Sequence, residues 1–266
     1  MNSFYYHKKV WITGASSGIG RSIALRLALF QSEIYLSSEN EKDLMSVAEQ
    51  CRELGATVKT MVLDQSNPEA VDKAADLMIA DKFIPDVLIL NAGISQRDGV
   101  VDTKLEVHDR IMQINFRSSV QITKKLLPHM ISAGGGHIGV TSSISGKFGF
   151  PLRSSYAAAK HAIHGFFESA GIEYRKKGIY VTILCPGRVK TNISINALHG
   201  DGRGYGKMDA GQAGGITPER CAKKYLRAIQ HKRREKLIGG KELLMARFKQ
   251  YTPWLFYYLS DKIKSS

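Results

Sequence analysis

Short apolar runs rich in β-branched residues recur along the chain at positions 10–13, 33–37, 57–63, 86–90, 137–141 and 180–185. Between them lie longer stretches, 22–30, 41–54, 68–81, 105–130 and 154–177, in which apolar residues return every three to four positions, the spacing of an amphipathic helix. Strand and helix therefore alternate. Such alternation predicts right-handed crossovers and a parallel sheet with helices on both faces. The apolar runs carry few charges, as strands do when both faces of their sheet are covered. The expected fold class is α/β: a single-domain Rossmann fold whose doubly wound parallel sheet has about seven strands. No proline- or serine-rich linker divides the 266 residues, so residues 1–266 read as one domain around one core.

In a sheet of this kind ligands bind beyond the carboxyl ends of the strands. The polar and glycine-rich segments that directly follow apolar runs are Thr13 to Gly20, Asp64, Asn91 to Gly93, Thr141 to Ser143 and Pro186 to Thr191. The first reads Thr13-Gly14-Ala15-Ser16-Ser17-Gly18-Ile19-Gly20 and runs straight into a helical pattern. Glycines there permit a tight turn and close approach of backbone to a pyrophosphate. The free N–H groups and positive dipole of the helix start can then hold the phosphates. On its own such a turn is weak evidence.

Tyr156-Ala157-Ala158-Ala159-Lys160 places a phenol and an ammonium on one helix face. A free tyrosine titrates near 10 and is a poor base at neutral pH. A nearby ammonium would favour the phenolate. Thirteen residues upstream of Tyr156, the hydroxyl of Ser143 or its neighbour Ser142 would orient a carbonyl or alcohol oxygen for proton transfer. His161 and His164 read as helix-packing or surface residues, and no metal-site spacing is present.

The spacing of Gly14, Gly18 and Gly20 after Thr13, together with Tyr156 and Lys160, resembles the short-chain dehydrogenase/reductase family over nearly the whole chain. The resemblance implies an NAD(P)-dependent oxidoreductase that moves a hydride between a nicotinamide cofactor and a carbonyl or secondary alcohol. It selects Ser143 over Ser142 and adds Asn115 as the fourth catalytic residue, one that fixes a helix irregularity and a water leading to Lys160. It gives Lys160 a second role on the nicotinamide ribose. It places Asp64 at the adenine, has Asn91, Ala92 and Gly93 line the cofactor pocket, and sets Pro186, Gly187, Val189 and Thr191 beside the nicotinamide. It also implies a homodimer or homotetramer, and a substrate lid over 192–217. At the end of the second strand, Glu39 stands where many NADP-preferring relatives have arginine, and Ser17 where many have a basic residue. A carboxylate there suits a free ribose diol, so NAD(H) is favoured over NADP(H), with no metal.

Composition refines partner and location. The net charge of +14 is concentrated at the C-terminal end, where residues 219–266 hold thirteen Lys or Arg against four Asp or Glu. Residues 241–263 form a basic amphipathic extension with Trp254, Leu255, Phe256 and Leu259, and Pro253 as a break. Peripheral membrane contact, a subunit interface and a flap over the substrate mouth all fit this pattern. Nucleic acid is not expected, because the aromatics cluster instead of interleaving with the charges. The segment from Thr191 through Asp209 and the aromatic tail resemble the branch of dehydrogenase/reductase members 7 and 7B, near the 11β-hydroxysteroid dehydrogenases. That resemblance implies a bulky apolar, steroid- or lipid-like substrate. Two departures stand out, Glu39 and the lack of that branch's N-terminal anchor. Cys51, Cys185 and Cys221 are too dispersed for a CxxC pair, which suggests reduced thiols. A non-catalytic sensor on the same fold is the alternative, and the expected location is cytoplasmic, with membrane association left open.

Overall fold

A computed structural model describes residues 4–261. The strands are β1 (Lys9–Thr13), β2 (Glu33–Ser38), β3 (Thr57–Val62), β4 (Val87–Leu90), β5 (Gly136–Thr141), β6 (Ile179–Pro186) and β7 (Glu235–Ile238). They form one seven-stranded sheet in the order β3-β2-β1-β4-β5-β6-β7, with every pair parallel. The order reverses between β1 and β4, so a crevice opens at their carboxyl ends.

The two faces of the sheet explain the apolar runs. In β1, Val10 and Ile12 point to one side and Trp11 to the other, and all three are fully buried. The first side is covered by α1 (Gly18–Ala28), α2 (Glu41–Glu53) and α8 (Pro218–Gln230), through residues such as Ile23, Leu44 and Tyr225. The second is covered by α3 (Pro68–Ala80), α5 (Ser118–Ser132) and α6 (Ser154–Glu173), through Val71, Ile122 and Phe167. The indole N–H of Trp11 donates to Ser37 Oγ at 3.0 Å, so its burial leaves no polar atom unpaired.

Three features depart from the expected elements. The stretch 105–130 is not one α-helix: α4 (Leu105–Met112) passes through a π-helical turn, Gln113–Arg117, into α5 (Ser118–Ser132). The stretch 154–177 is α6 (Ser154–Glu173) followed by a separate 3₁₀ turn, Arg175–Lys177, which stops at Gly178 with φ +80°. The first helix starts at Gly18, not at residue 22, because the glycine turn leads directly into it. After the short α7 (Ala210–Ala213), the apolar stripe of α8 (Pro218–Gln230) and the edge strand β7 complete the fold.

The basic extension forms two helices, α9 (Leu243–Tyr251) and α10 (Pro253–Ser260), with Pro253 opening the second; residues 262 and 263 lie outside the described residues. Phe256 and Ala246 bury themselves against Phe148 and Ile144, while Tyr251, Trp254, Tyr257 and Tyr258 remain exposed. Among the described residues, no helix is long and apolar enough to cross a membrane.

Candidate active site

A cavity of about 670 Å³ occupies the crevice. Its walls come from the turn after β1, the ends of β2, β4, β5 and β6, the start of α6 and the segment 192–212. Gly14, Ser16, Ser17, Gly18, Ile19, Glu39, Asn91, Ala92, Gly93, Ser143, Tyr156, Lys160, Pro186, Gly187, Val189 and Thr191 all line it.

Three of the expected residues do not. Gly20 sits behind the turn, where a Cβ would lie 2.1 Å from the Gly14 carbonyl oxygen, so glycine is needed for the first helix to pack. Asp64 is exposed, and its carboxylate accepts the Ser66 N–H at 2.8 Å; its neighbours Leu63 and Gln65 line the cavity instead. Asn115 lies in the π-helical turn, fully enclosed behind the cavity wall.

Hydrogen bonds hold the turn against the sheet. Thr13 Oγ1 accepts the N–H of Asn91 at 3.0 Å and of Ala92 at 3.2 Å, tying β1 to the end of β4. The Asn91 amide donates to the Gly14 carbonyl at 3.2 Å and accepts from Thr141 Oγ1 at 3.2 Å. Gly14 has φ +63°, and a Cβ there would strike Ala92 Cα at 2.7 Å. The backbone is thereby left bare beside the start of α1, where N–H groups face outward.

Asn115 makes a reciprocal pair with Ile94: Oδ1 accepts the Ile94 N–H and Nδ2 donates to the Ile94 carbonyl, both at 2.8 Å. This pairing gives the buried Asn two backbone partners across the π-helical turn, and it fixes the loop after β4. Gly93 lies between Asn115 and Lys160; a Cβ there would be 2.8 Å from Asn115 Oδ1 and 3.4 Å from Lys160 Nζ.

Tyr156 and Lys160 project from the first turns of α6. Lys160 Nζ lies 5.6 Å from the Tyr156 ring centroid and donates to the Thr141 carbonyl at 2.8 Å. Burial pulls the Lys160 pKa down to about 7. Burial also raises that of Tyr156, against the Ser143 hydroxyl and the charges of Arg97 and Arg153, which lower it. Ser143 Oγ accepts the Ser145 N–H at 3.1 Å and donates to the Pro186 carbonyl at 3.4 Å. Ser142 also lines the cavity, but its hydroxyl is bonded to the Lys160 carbonyl and to His164 Nε2, each at 3.1 Å.

Several groups in or behind the cavity wall were not singled out from the sequence. Arg97, Arg153 and Asp209 meet in one cluster within the cavity wall. Gln96 is fully buried and bonds to the start of α6. Asp43 joins Glu39 at the far end. Outside the cavity, His164, Cys185 and Glu235 bring ligand-type atoms within 4.8 Å of one another. The Lys147 ammonium is bonded to Glu235 and lies 3.4 Å from His164 Nδ1, so a cation already fills that cluster.

Residues 8–201 match the family model described as short chain dehydrogenase. The chain is 38% identical over 255 residues to dehydrogenase/reductase SDR family member 7B of Xenopus laevis, covering 93% of this chain and 79% of the relative. It is 36% identical over 266 residues to the Bos taurus protein of the same name, covering 97% and 82%. Among solved structures, a short-chain dehydrogenase/reductase from Burkholderia phymatum in complex with NAD superposes with a TM-score of 0.82 at 23% identity, covering 94% of this chain and 95% of that one. An alcohol dehydrogenase from Thermococcus sibiricus, complexed with 5-hydroxy-NADP, gives 0.76 at 24% identity, covering 88% and 97%. At those identities the structures speak for the fold alone. The sequence matches go further, and with the cavity just described they establish that this chain belongs to the short-chain dehydrogenase/reductase family.

Proposed function

We propose that the chain is a nicotinamide-dependent oxidoreductase interconverting a ketone and a secondary alcohol, with Tyr156 as proton carrier. The observation that carries this proposal is the convergence of Tyr156, Lys160 and Ser143 on one wall of a cavity whose other arm ends at a bare glycine turn and a helix start. The residues fit a dinucleotide. Gly14 to Ile19 would hold the pyrophosphate, Asn91 to Gly93 and Lys160 the nicotinamide riboside, and Pro186 to Thr191 the nicotinamide ring.

The cofactor supplies the hydride donor or acceptor. Ser143 orients the substrate oxygen, and the Tyr156 phenol gives or takes the proton at that oxygen. Lys160, together with the Arg97 and Arg153 charges, stabilises the phenolate form that this exchange requires. Asn115 acts at a distance, holding the Ile94 backbone and with it the wall facing Lys160.

NAD(H) is the favoured cofactor. Among the lining residues from the β1 turn, the end of β2 and the start of α2, Glu39 and Asp43 are the charged members, and none is Lys or Arg. A ribose 2′-phosphate would meet net negative charge there.

Residues 192–217 serve as a lid, since Asn192, Ile193, Asn196 and Leu198 face the cavity, and the whole described chain works as one catalytic unit. The apolar lining from Ile144, Phe150, Leu152 and Leu198 suits a substrate with a large apolar body. The exposed aromatics and basic residues of α9 and α10 suit a membrane surface or a second subunit near the cavity mouth, on a protein working in the cytoplasm as a homodimer or homotetramer.

The test is a titration of NADH and NADPH by protein fluorescence, followed by a screen of ketones and alcohols. Tyr156→Phe should lose most turnover and keep its cofactor affinity. A Tyr156→Phe variant with wild-type turnover would overturn the proton-carrier role.

A further inference from the structure

At the Tyr156 end of the cavity, charge is out of balance. The Asp209 carboxylate reaches in from the segment 192–217, and its Oδ2 accepts three bonds: from Arg97 Nε at 2.9 Å, from Arg97 Nη2 at 2.7 Å and from Arg153 Nη2 at 2.9 Å. Two guanidinium groups thus share one carboxylate, and one positive charge is left over. Burial would raise the Asp209 pKa, but the Arg97 bonds and charge, with those of Arg153, hold it below the usual carboxylate range, so the carboxylate stays ionised.

The two arginines are used differently. Arg97 is 7% exposed at its side chain, and its Nη1 donates to Ser95 Oγ at 2.7 Å and to the Gln96 carbonyl at 2.6 Å. With two edges committed, it is a fixed strut. Arg153 makes its single protein bond, among the described residues, through Nη2; its Nε and Nη1 have no protein partner among them. Its guanidinium carbon lies 5.1 Å from the Phe150 ring centroid, a cation–π contact that adds to the Asp209 bond in holding the group. Burial, and then the like charge of Arg97, pull its pKa below the usual arginine range. The Arg153 side chain is 22% exposed and lines the cavity, so its open donors are accessible to a ligand there.

A planar guanidinium held at Nη2 with its other edge open matches the flat fork of a carboxylate. The surplus of one charge matches a monoanion. Around it, Phe150, Leu152 and Leu198 provide apolar wall. We propose that the substrate carries a carboxylate on its otherwise apolar body, and that the open edge of Arg153 binds it, with Arg97 and Asp209 holding that edge in place. This substrate class, an apolar oxo or hydroxy acid, rests on the oxidoreductase role proposed above for the same cavity. Arg153 would then be a specificity-determining residue, placed three positions before Tyr156 in the chain.

Binding measurements test the site without requiring turnover. The protein is titrated calorimetrically with octanoate and with octanamide, in the presence and absence of NADH. The expected result is octanoate binding about tenfold more tightly than octanamide, the effect of one charge-assisted contact. In Arg153→Met the two affinities should become equal. In Arg153→Lys, which keeps the charge but lacks the planar fork, most of the preference should also be lost. Equal affinities in the wild-type protein, no octanoate binding, or a preference that persists in Arg153→Met would each overturn the carboxylate site. The wild-type comparison decides by itself if Arg153→Met does not fold. Selective octanoate binding by a protein that turns over neither ketones nor alcohols would leave the anion site standing and remove the oxidoreductase role.

Discussion

The Gln96 carboxamide caps the helix that carries Tyr156: its Oε1 accepts the Ser155 N–H at 2.8 Å and the Tyr156 N–H at 3.3 Å. Helix α6 has no acidic residue in its first turn, and its N-cap residue, Arg153, makes no side-chain capping bond. A side chain from the loop after β4 therefore does what a local Ser or Asp usually does. The Gln96 amide nitrogen is anchored in turn on Thr103 Oγ1 at 2.9 Å. Gln96→Leu should cost about 1–2 kcal/mol of stability through the lost cap and the unpaired amides. It should also lower kcat by roughly tenfold to a hundredfold, because the phenol is no longer held in register. Gln96→Glu keeps the acceptor but loses the donor to Thr103 Oγ1, whose own proton goes to the Gly99 carbonyl at 2.7 Å, and buries a charge, so it should recover little of the stability. Urea melts with steady-state kinetics check both; a Gln96→Leu variant with unchanged kcat would show that Tyr156 is positioned by other contacts.

How much of this was legible in the sequence depends on where each signal arises. Six strands stood out because residues such as Trp11 and Ile12 point to opposite covered faces, which forces continuous apolar runs. The seventh, Glu235–Ile238, did not, since an edge strand beginning Glu235-Lys236 is half solvated. Helix α8 was hidden by its many basic residues, although Thr217 and Pro218 are a cap and a first-turn proline and Cys221, Ala222, Tyr225 and Ile229 form a buried stripe. The π-helical turn at Asn115 answers to a contact 21 residues away with Ile94, which local periodicity does not record. The glycine turn and the Tyr156–Lys160 pair are local patterns and were readable. Arg97 and Asp209, 112 residues apart, read singly as ordinary loop charges, and only the fold brings them together.

Glu39 should set the cofactor preference. It lines the cavity at the end of β2 along with Asp43, and Ser16 and Ser38 bridge beneath it through their hydroxyls at 2.7 Å. A 2′-phosphate placed there would be repelled, whereas a guanidinium would bind it bidentately. In Glu39→Arg the ratio of NADPH to NADH affinity should rise by about tenfold or more. Fluorescence titration with both nucleotides measures it, and an unchanged ratio would place the discrimination elsewhere in the cavity.

Lys160 should leave a signature in the pH dependence of stability of the cofactor-free protein. Its side chain is enclosed, and burial pulls its pKa from 10.5 down to about 7. The sign follows from proton counting. Above pH 7 the folded protein releases this proton while the unfolded chain still holds it, so the unfolded state binds more protons and stability rises with pH. Below pH 7 both states are protonated at this lysine, and its contribution to the slope vanishes. The gain is confined to the range below about pH 9. Beyond it, the buried thiols of Cys185 and Cys221, whose pKa values burial raises, keep protons that the unfolded chain loses, and the slope reverses. Between pH 7 and 9 the lysine should add about 2 kcal/mol, one pKa unit being worth 1.36 kcal/mol. Lys160→Met removes the titrating group, so urea midpoints of the variant should be nearly flat over this interval while those of the wild-type protein climb. Parallel curves for the two proteins would mean that Lys160 stays fully protonated in the fold, held by more than the Thr141 carbonyl 2.8 Å from its Nζ.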